Sequence, residues 1–353
     1  MTYNLSVIIP FYNSQDHLLD AFNSIFEQSM NFDDIEIILV NDCSTDNSPQ
    51  IAKNLCEKYE NCKFYDLSLS YSEKSGYPGR PRNLGLKHVS SNYVIFLDTD
   101  DYYTENAFEI MYSNIIETNA DFLLANHYIN SQKGMIKNTL CSKDYRKPVI
   151  INPLKNQRIY DSITSGNFIA SWGKIFNYSF IRNNNLTFFE DGPTEDGDFY
   201  FQCLNVCEKM CILPTDYVYV YNEYSDSTIH NSSETLFLAF FNGLKRINDF
   251  LCENIDLSHE IFLSDYFSSL LLIFVTTDVS KSKKLEFLEM IHDFEQTTNE
   301  IKIKTIEVDF LNKLILGKHF GLAILVGNLY NKIYNNETIK KIYRKYMDRK
   351  RSK

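Results

Sequence analysis

Short apolar runs alternate with amphipathic stretches over the first two-thirds of the chain, and the pattern turns purely helical near residue 235. Leu5-Ser6-Val7-Ile8-Ile9-Pro10 predicts a strand closed by proline. Leu18, Leu19, Phe22, Ile25 and Phe26 follow at helical spacing, with Asn13 or Ser14 as the expected N-cap. Ile35 to Val40 predicts the second strand, and Ser48 with Pro49 opens the next helix. Phe64 to Leu67, Val94 to Leu97 and Asp121 to Ala125 predict further strands, with a helix opening near Arg82-Asn83 and another capped by Thr104. Residues 128–160 show no clear period and read as antiparallel strands or acceptor loops. Glu195 and Asp196 open a helix through Phe199, Cys203, Leu204 and Cys207; Tyr217 to Tyr221 is a strand, and Ser225 to Ser233 a polar loop. This order predicts an α/β fold, a mostly parallel central sheet with helices on both faces. The expected division is an α/β domain over 1–234, with halves of about 1–101 and 102–234, followed by an all-helical domain over 235–353. The stripe Phe237, Phe240, Phe241, Leu244, Ile247 and Leu251 begins that helical part.

Composition narrows the choices. A net charge of −11 and a pI near 5.2 argue against a general nucleic-acid binder. The charge is uneven: residues 340–353 carry eight basic side chains against Asp348, a net of +7 that leaves −18 for the rest. Two readings of the helical end stay open, an interaction domain that builds a homo-oligomer and a basic amphipathic tail, 339–353, touching an anionic membrane face. The N-terminus enters a strand at once, without the pattern of a signal peptide, and no apolar run approaches the ~20 residues of a spanning helix. The expectation is a cytoplasmic protein, with peripheral contact at the inner membrane face as the second reading. Eight cysteines without metal-type pairing fit a reducing compartment. Cys203, Cys207 and Cys211, four apart, are expected on one helix face as buried thiols rather than zinc ligands. Abundant Asn, Lys, Ile and Tyr point to an AT-rich bacterial genome.

The chemistry gathers at strand ends. Asp98-Thr99-Asp100-Asp101 follows an apolar strand, where open α/β sheets bind ligands. One small residue separates Asp98 from Asp100, so both carboxylates can converge on Mn²⁺ or Mg²⁺; a solvated acidic turn is the plain alternative. Tyr12 with Pro10 offers a face for a nucleobase, and Asp42 can accept a ring N–H or form an Asx-turn. Arg82, at a helix start, suits phosphate, with Arg80 as second candidate; solvent exposure or a pair with a nearby acid is the plain alternative for both. Asp196, in a first helical turn, can serve as a base or simply stabilise the helix. Trp172 is a sugar platform or a core residue, and Lys174 meets an anionic acceptor or solvent.

Five pieces occur in order: Ser6-Val7-Ile8-Ile9-Pro10-Phe11-Tyr12-Asn13, Val40-Asn41-Asp42-Cys43-Ser44-Thr45-Asp46, Pro81-Arg82-Asn83-Leu84-Gly85, Phe96-Leu97-Asp98-Thr99-Asp100-Asp101 and Glu195-Asp196. Over roughly residues 1–230 the set resembles the inverting family 2 glycosyltransferases with the GT-A fold. Pro78-Gly79-Arg80-Pro81-Arg82-Asn83, with a helical C-terminal part, is similar to bacterial enzymes that glycosylate ribitol-type wall teichoic acid. The resemblance implies a UDP-sugar donor, with 1–101 as the nucleotide-sugar half and acceptor contacts in 102–234; the donor is contacted by Pro10, Tyr12, Asn13, Asp42, Arg80, Arg82, Asn83, Asp98, Thr99, Glu195 and His230. It implies a metal on Asp100, assisted by Asp98 and His230, and Asp196 as the base of a single displacement. His230-Asn231-Ser232-Ser233 looks like the loop that closes on the diphosphate. The family often carries an acid where Asn41 stands, so the base-reading role rests on Asp42. The implied acceptor is a hydroxyl of a polymeric or lipid-linked bacterial glycan, such as teichoic acid or capsular polysaccharide; a protein-linked glycan is the alternative. A non-catalytic protein binding nucleotide sugar or polymer is the competing class. A nucleotidyltransferase needs a Gly-rich loop where Pro10-Phe11-Tyr12-Asn13 stands, which counts against it.

Overall fold

Leu5–Phe11 (β1) and Ile35–Asn41 (β2) are buried along their whole length, as strands covered on both faces should be; among their apolar residues stand Ser6, Glu36 and Asn41, and the Ser6 hydroxyl donates to the Glu36 carboxylate. They lie parallel, Leu5 opposite Ile35 and Phe11 opposite Asn41. The computed structural model describes residues 3–71, 73, 76–132, 134–140, 145–223, 233–298 and 306–334. The other strands among these are Cys62–Asp66 (β3), Tyr93–Phe96 (β4), Tyr102–Tyr103 (β5), Phe122–Ser131 (β6), Gly134–Asn138 (β7), Val149–Ile151 (β8), Lys174–Asn177 (β9) and Met210–Asn222 (β10). The helices are Leu18–Phe26 (α1), Ser48–Lys58 (α2), Gly79–Leu86 (α3), Ala107–Thr118 (α4), Gln157–Ile163 (α5), Tyr178–Asn183 (α6), Glu195–Val206 (α7), Glu234–Asn254 (α8), Glu260–Thr276 (α9), Lys281–Thr297 (α10), Ile306–Leu316 (α11) and Phe320–Tyr334 (α12).

The strands form one sheet in the order β3-β2-β1-β4-β9-β6-β10-β5, with β7 beside β6 and β8 beside β10. The sheet is mixed. Its first four strands are parallel, so Tyr12, Asp42, Asp66 and Asp98 all lie at or just beyond carboxyl ends along one edge. Beyond β4 the antiparallel β9 is inserted, and β6 and β10 run parallel to each other. Residues 128–160 supply the ends of that second half, β7 and β8 both pairing antiparallel. β10 slips register between Leu213 and Tyr217. Pro214 lies in that interval and has no N–H to give the ladder, which accounts for an irregularity there.

Several boundaries differ from expectation. α1 starts after His17, not after Asn13 or Ser14, because the intervening residues form a turn in which the Ser14 carbonyl accepts from His17 and Leu18. α2 is preceded by Asn47, and Ser48 is its first residue. Asn106, not Thr104, precedes α4. Cys203, Cys207 and Cys211 do not share a helix face: α7 ends at Val206, Cys207 is extended, and Cys211 lies in β10, although all three are buried.

Internal contacts divide the chain into Met1–Tyr224 with Asp249–Ser258, and Ser225–Asn248 with His259–Lys353. The second unit is helical in its described part, and Phe237 stacks on Phe287 at 3.9 Å in its core. No helix among the described residues is long and apolar enough to cross a membrane. His230 and the basic tail 339–353 lie outside the described residues.

Candidate active site

The site is assembled from the carboxyl ends of β1, β2 and β4, the end of β10 and the first turns of α3 and α7. The loops after β1 and β2 are tied together by side chains. Asn13, at φ +47°, accepts from the Thr45 N–H at 2.8 Å and donates its own N–H to Ser44 Oγ at 2.9 Å. Asp42 is 5% exposed and donates its N–H to the Phe11 carbonyl at 2.8 Å, which sets it beside the partly exposed Tyr12. Pro10 is buried within β1 opposite Val40, so it lines the strand rather than the opening.

α3 is brought unusually close to the segment after Leu186. A Cβ at Gly79 would sit 1.9 Å from the Phe189 carbonyl oxygen, so only glycine fits there. The Asn83 amide grips the same segment: Nδ2 donates to the Phe188 carbonyl and to Glu190 Oε1, each at 2.9 Å, and Oδ1 accepts from the Phe188 N–H. Asn83 therefore frames the site, its amide engaged by protein. Arg80 faces the other way, its guanidinium 4.3 Å from the centre of the Tyr71 ring, and helps line a cleft of about 480 Å³ beside β3.

Arg82 is the centre of the site. It is 1% exposed and reaches three carboxylates: Nη2 donates to Asp98 Oδ1 at 2.7 Å, and Nη1 to Glu195 Oε1 at 3.1 Å and Asp196 Oδ1 at 3.0 Å. These are the nearby-acid pairs weighed beside a phosphate contact, made with α7 and the β4 turn. Burial opposes its charge, yet Asp196, Asp98 and Glu195 together drive its pKa above the ordinary value. Burial raises Asp98, with Asp196 adding repulsion and Arg82 opposing both. Burial and Asp196 raise Glu195. Asp100 opens to solvent, yet the protein around it and the Asp98 charge push it up to about 6. Burial and mutual repulsion thus raise three of the carboxyls gathered here, a penalty that a bound cation would relieve.

Asp98, Thr99, Asp100 and Asp101 form one turn, closed by the Asp101 N–H on the Asp98 carbonyl at 3.1 Å. Thr99 Oγ1 lies 3.0 Å from Ser14 Oγ. The oxygen-only donor set of Asp98 and Asp100 suits Mn²⁺ or Mg²⁺. No cluster of three His, Cys, Asp or Glu side chains shaped for a metal occurs among the described residues, so such an ion would need further oxygens from substrate or water.

The backing of the site was not legible in the sequence. Trp172 is 5% exposed and stacks on Tyr219, centroids 4.6 Å apart with planes 5° apart, and on Tyr221 at 5.6 Å. Lys174 does not face an acceptor: it is fully buried, its amine donating to the Phe168 and Ala170 carbonyls, and burial lowers its pKa to about 7. Tyr219, Asn222 and Asp101 hold the carboxylate turn from below, and only the run of alternating tyrosines hinted at it.

Residues 6–173 match the family described as Glycosyl transferase family 2. Poly(ribitol-phosphate) beta-N-acetylglucosaminyltransferase TarS of Staphylococcus aureus is 30% identical over 220 residues, 61% of this chain and 35% of that protein. Poly(ribitol-phosphate) beta-N-acetylglucosaminyltransferase TarP of the same organism is 26% identical over 307 residues, 84% of this chain and 89% of that protein. The crystal structure of S. aureus TarS 1-349 in complex with UDP-GlcNAc matches with a TM-score of 0.65 at 22% identity, over 93% of this chain and 92% of that one. This likeness identifies the architecture as GT-A followed by a helical region. The chain spans only 24–35% of the length of several relatives it matches.

Proposed function

Because residues 6–173 form a glycosyl transferase family 2 domain, we propose that the chain transfers a hexosyl or N-acetylhexosaminyl group from a UDP-sugar to a hydroxyl of a bacterial cell-surface polymer of the polyol-phosphate type. The observation that carries this reading is the Arg82 cluster, which gathers Asp98 from the donor side and Glu195-Asp196 from the acceptor side around one guanidinium. The names of the relatives support the donor and acceptor classes.

In this mechanism the uridine lies along the ends of β1 and β2, near Tyr12 and Asp42. Asp100 and Asp98 would hold Mn²⁺ or Mg²⁺, which supplies positive charge for the leaving diphosphate. Asp196, oriented by Arg82 at the start of α7, takes the proton of the acceptor hydroxyl. The freed oxygen forms a bond to the anomeric carbon on the face opposite UDP. The bond from that carbon to the diphosphate oxygen breaks, its electron pair leaves with UDP, and the configuration inverts. Glu195 is tied to Arg82 and fixes the guanidinium. His230, outside the described residues, keeps the diphosphate role that the resemblance implies. The helical C-terminal part serves as an oligomerisation domain or, through 339–353, as a contact with an anionic membrane at the inner face.

The test is nucleotide release from a panel of UDP-, GDP-, TDP- and CMP-sugars, with Mn²⁺ and with chelator, for the wild type and Asp100→Ala. Slow hydrolysis of one UDP-sugar, lost with chelator and in the variant, is expected. Absence of UDP binding by calorimetry would overturn the reading.

A further inference from the structure

The carboxylate turn is anchored at every residue, and the least noticed anchor is the end of β10. Asp101 is 3% exposed, and no cation pairs with it among the described residues. Its carboxylate accepts instead from Tyr219 Oη–H at 2.9 Å and from the Asn222 N–H at 2.8 Å. The same Tyr219 oxygen faces the Asp98 N–H at 3.4 Å. Asn222 Nδ2 donates to the Asp100 carbonyl at 2.6 Å. Asn222 is itself steadied by Asn130, whose Nδ2 donates to its Oδ1 at 2.8 Å. Two residues of one strand end thus hold polar groups of Asp98, Asp100 and Asp101.

We propose that Tyr219 and Asn222, acting through Asp101 and the Asp100 carbonyl, are positioning residues that set the Asp98–Asp100 carboxylates for a divalent cation carried with UDP. The inference rests on the reading that this turn receives a metal-bound UDP-sugar. The physical reason lies in what can move. Turn residues 98–101 lie beyond the last ladder bond of β4, so the sheet alone does not fix where their carboxylates point. Tyr219 is fully buried, locked face to face by Trp172 and edge-on by Tyr103 at 4.8 Å. Tyr103 in turn donates its hydroxyl to the Phe96 carbonyl at 2.9 Å, so one aromatic group braces both strand and turn. A rigid ring with one hydroxyl gives Asp101 a single low-entropy resting place, and Asp101 then dictates the course of the turn. Groups behind metal ligands typically change metal affinity by about 10–100-fold when removed.

The experiment is calorimetric titration of the full chain with UDP, in Mn²⁺ and in chelator, for wild type, Tyr219→Phe and Asn222→Ala. Tyr219→Phe keeps the ring stack and removes only the hydroxyl. The expected result is an affinity for UDP in Mn²⁺ about 10–100-fold lower than wild type, with the weaker affinity in chelator unchanged. A merely structural role would lower both affinities together, and that outcome overturns the proposal. Equal Mn²⁺ enhancement in wild type and variants overturns it too, while leaving the donor reading intact. A wild type that gains nothing from Mn²⁺ removes the reading beneath it as well. Should Tyr219→Phe fail to fold, Asn222→Ala decides alone, since it deletes a partly exposed side chain and keeps the backbone N–H on Asp101.

Discussion

Replacing Arg82 with methionine tests the electrostatic account of the site most directly. The change keeps an apolar stem of similar length and deletes the group that faces Asp98, Glu195 and Asp196. Breaking a buried ion pair by removing one partner costs about 3–5 kcal/mol, because a charge is left uncompensated. Here Glu195 is 8% exposed, while Asp98 and Asp196 keep 27% and 25%. The full penalty therefore falls on one carboxylate and a screened part on two, which keeps the total within about 3–5 kcal/mol rather than a multiple of it. Burial already holds Asp98 and Glu195 above their ordinary pKa values with Arg82 present, and without it both rise further. A carboxyl raised in the folded state contributes stability below its unfolded pKa and loses it as pH rises through the folded value. The deficit should thus be largest at about pH 8 and shrink toward about pH 5. Urea unfolding followed by the fluorescence of Trp172, the single tryptophan, reads this out. A deficit under about 1 kcal/mol at the higher pH, or one equal at both pH values, would refute the reasoning.

Other expectations follow from the same geometry. Asp196→Asn should lower sugar transfer by about 10²–10⁴-fold while UDP binding by calorimetry stays within a factor of two of wild type, as expected for loss of a base alone. Gly79→Ala forces a Cβ to 1.9 Å from the Phe189 oxygen and should lower the melting temperature, with a cost of about 1–3 kcal/mol or more; an unchanged melting temperature would mean α3 is free to shift. Lys174 has its pKa lowered by burial to about 7 from 10.5, so folding favours its neutral form and stability should rise with pH between those values. Lys174→Met should lack that rise in a series of unfolding curves.

Much of this could be read before any coordinates. Asp98, Asp100, Glu195 and Asp196 stand where a strand ends or a helix begins, and a carboxylate at such a junction is a local signal. What Arg82 does is not local: its partners on α7 are 113 and 114 positions away, and periodicity carries no information over that span. Its place at a helix start left phosphate and a nearby acid both open, since only charge was visible. Lys174 misled for the same reason. Its neighbours Phe168 and Ala170 are close in sequence, but their carbonyls become acceptors only once the turn between them folds over the amine. The late start of α1 has a related cause. The loops after β1 and β2 bind each other through Asn13, Ser44 and Thr45, and this tertiary tie outweighs the capping preference of either loop alone.

The Arg82 cluster also bears on how this chain is made and how it can be rearranged. A ribosome releases Arg82 and Asp98 well before Glu195 and Asp196, so a nascent first half must bury a guanidinium with two of its three counter-charges still unmade. Such a half is a poor candidate for independent folding, and its final closure waits for α7. By the same logic, the segments that carry Arg82 and α7 resist exchange between related genes. A crossover between residues 83 and 194 would pair one parent's cation with another parent's acids, and only matched geometries would close. The α/β unit is in that sense a single unit of inheritance.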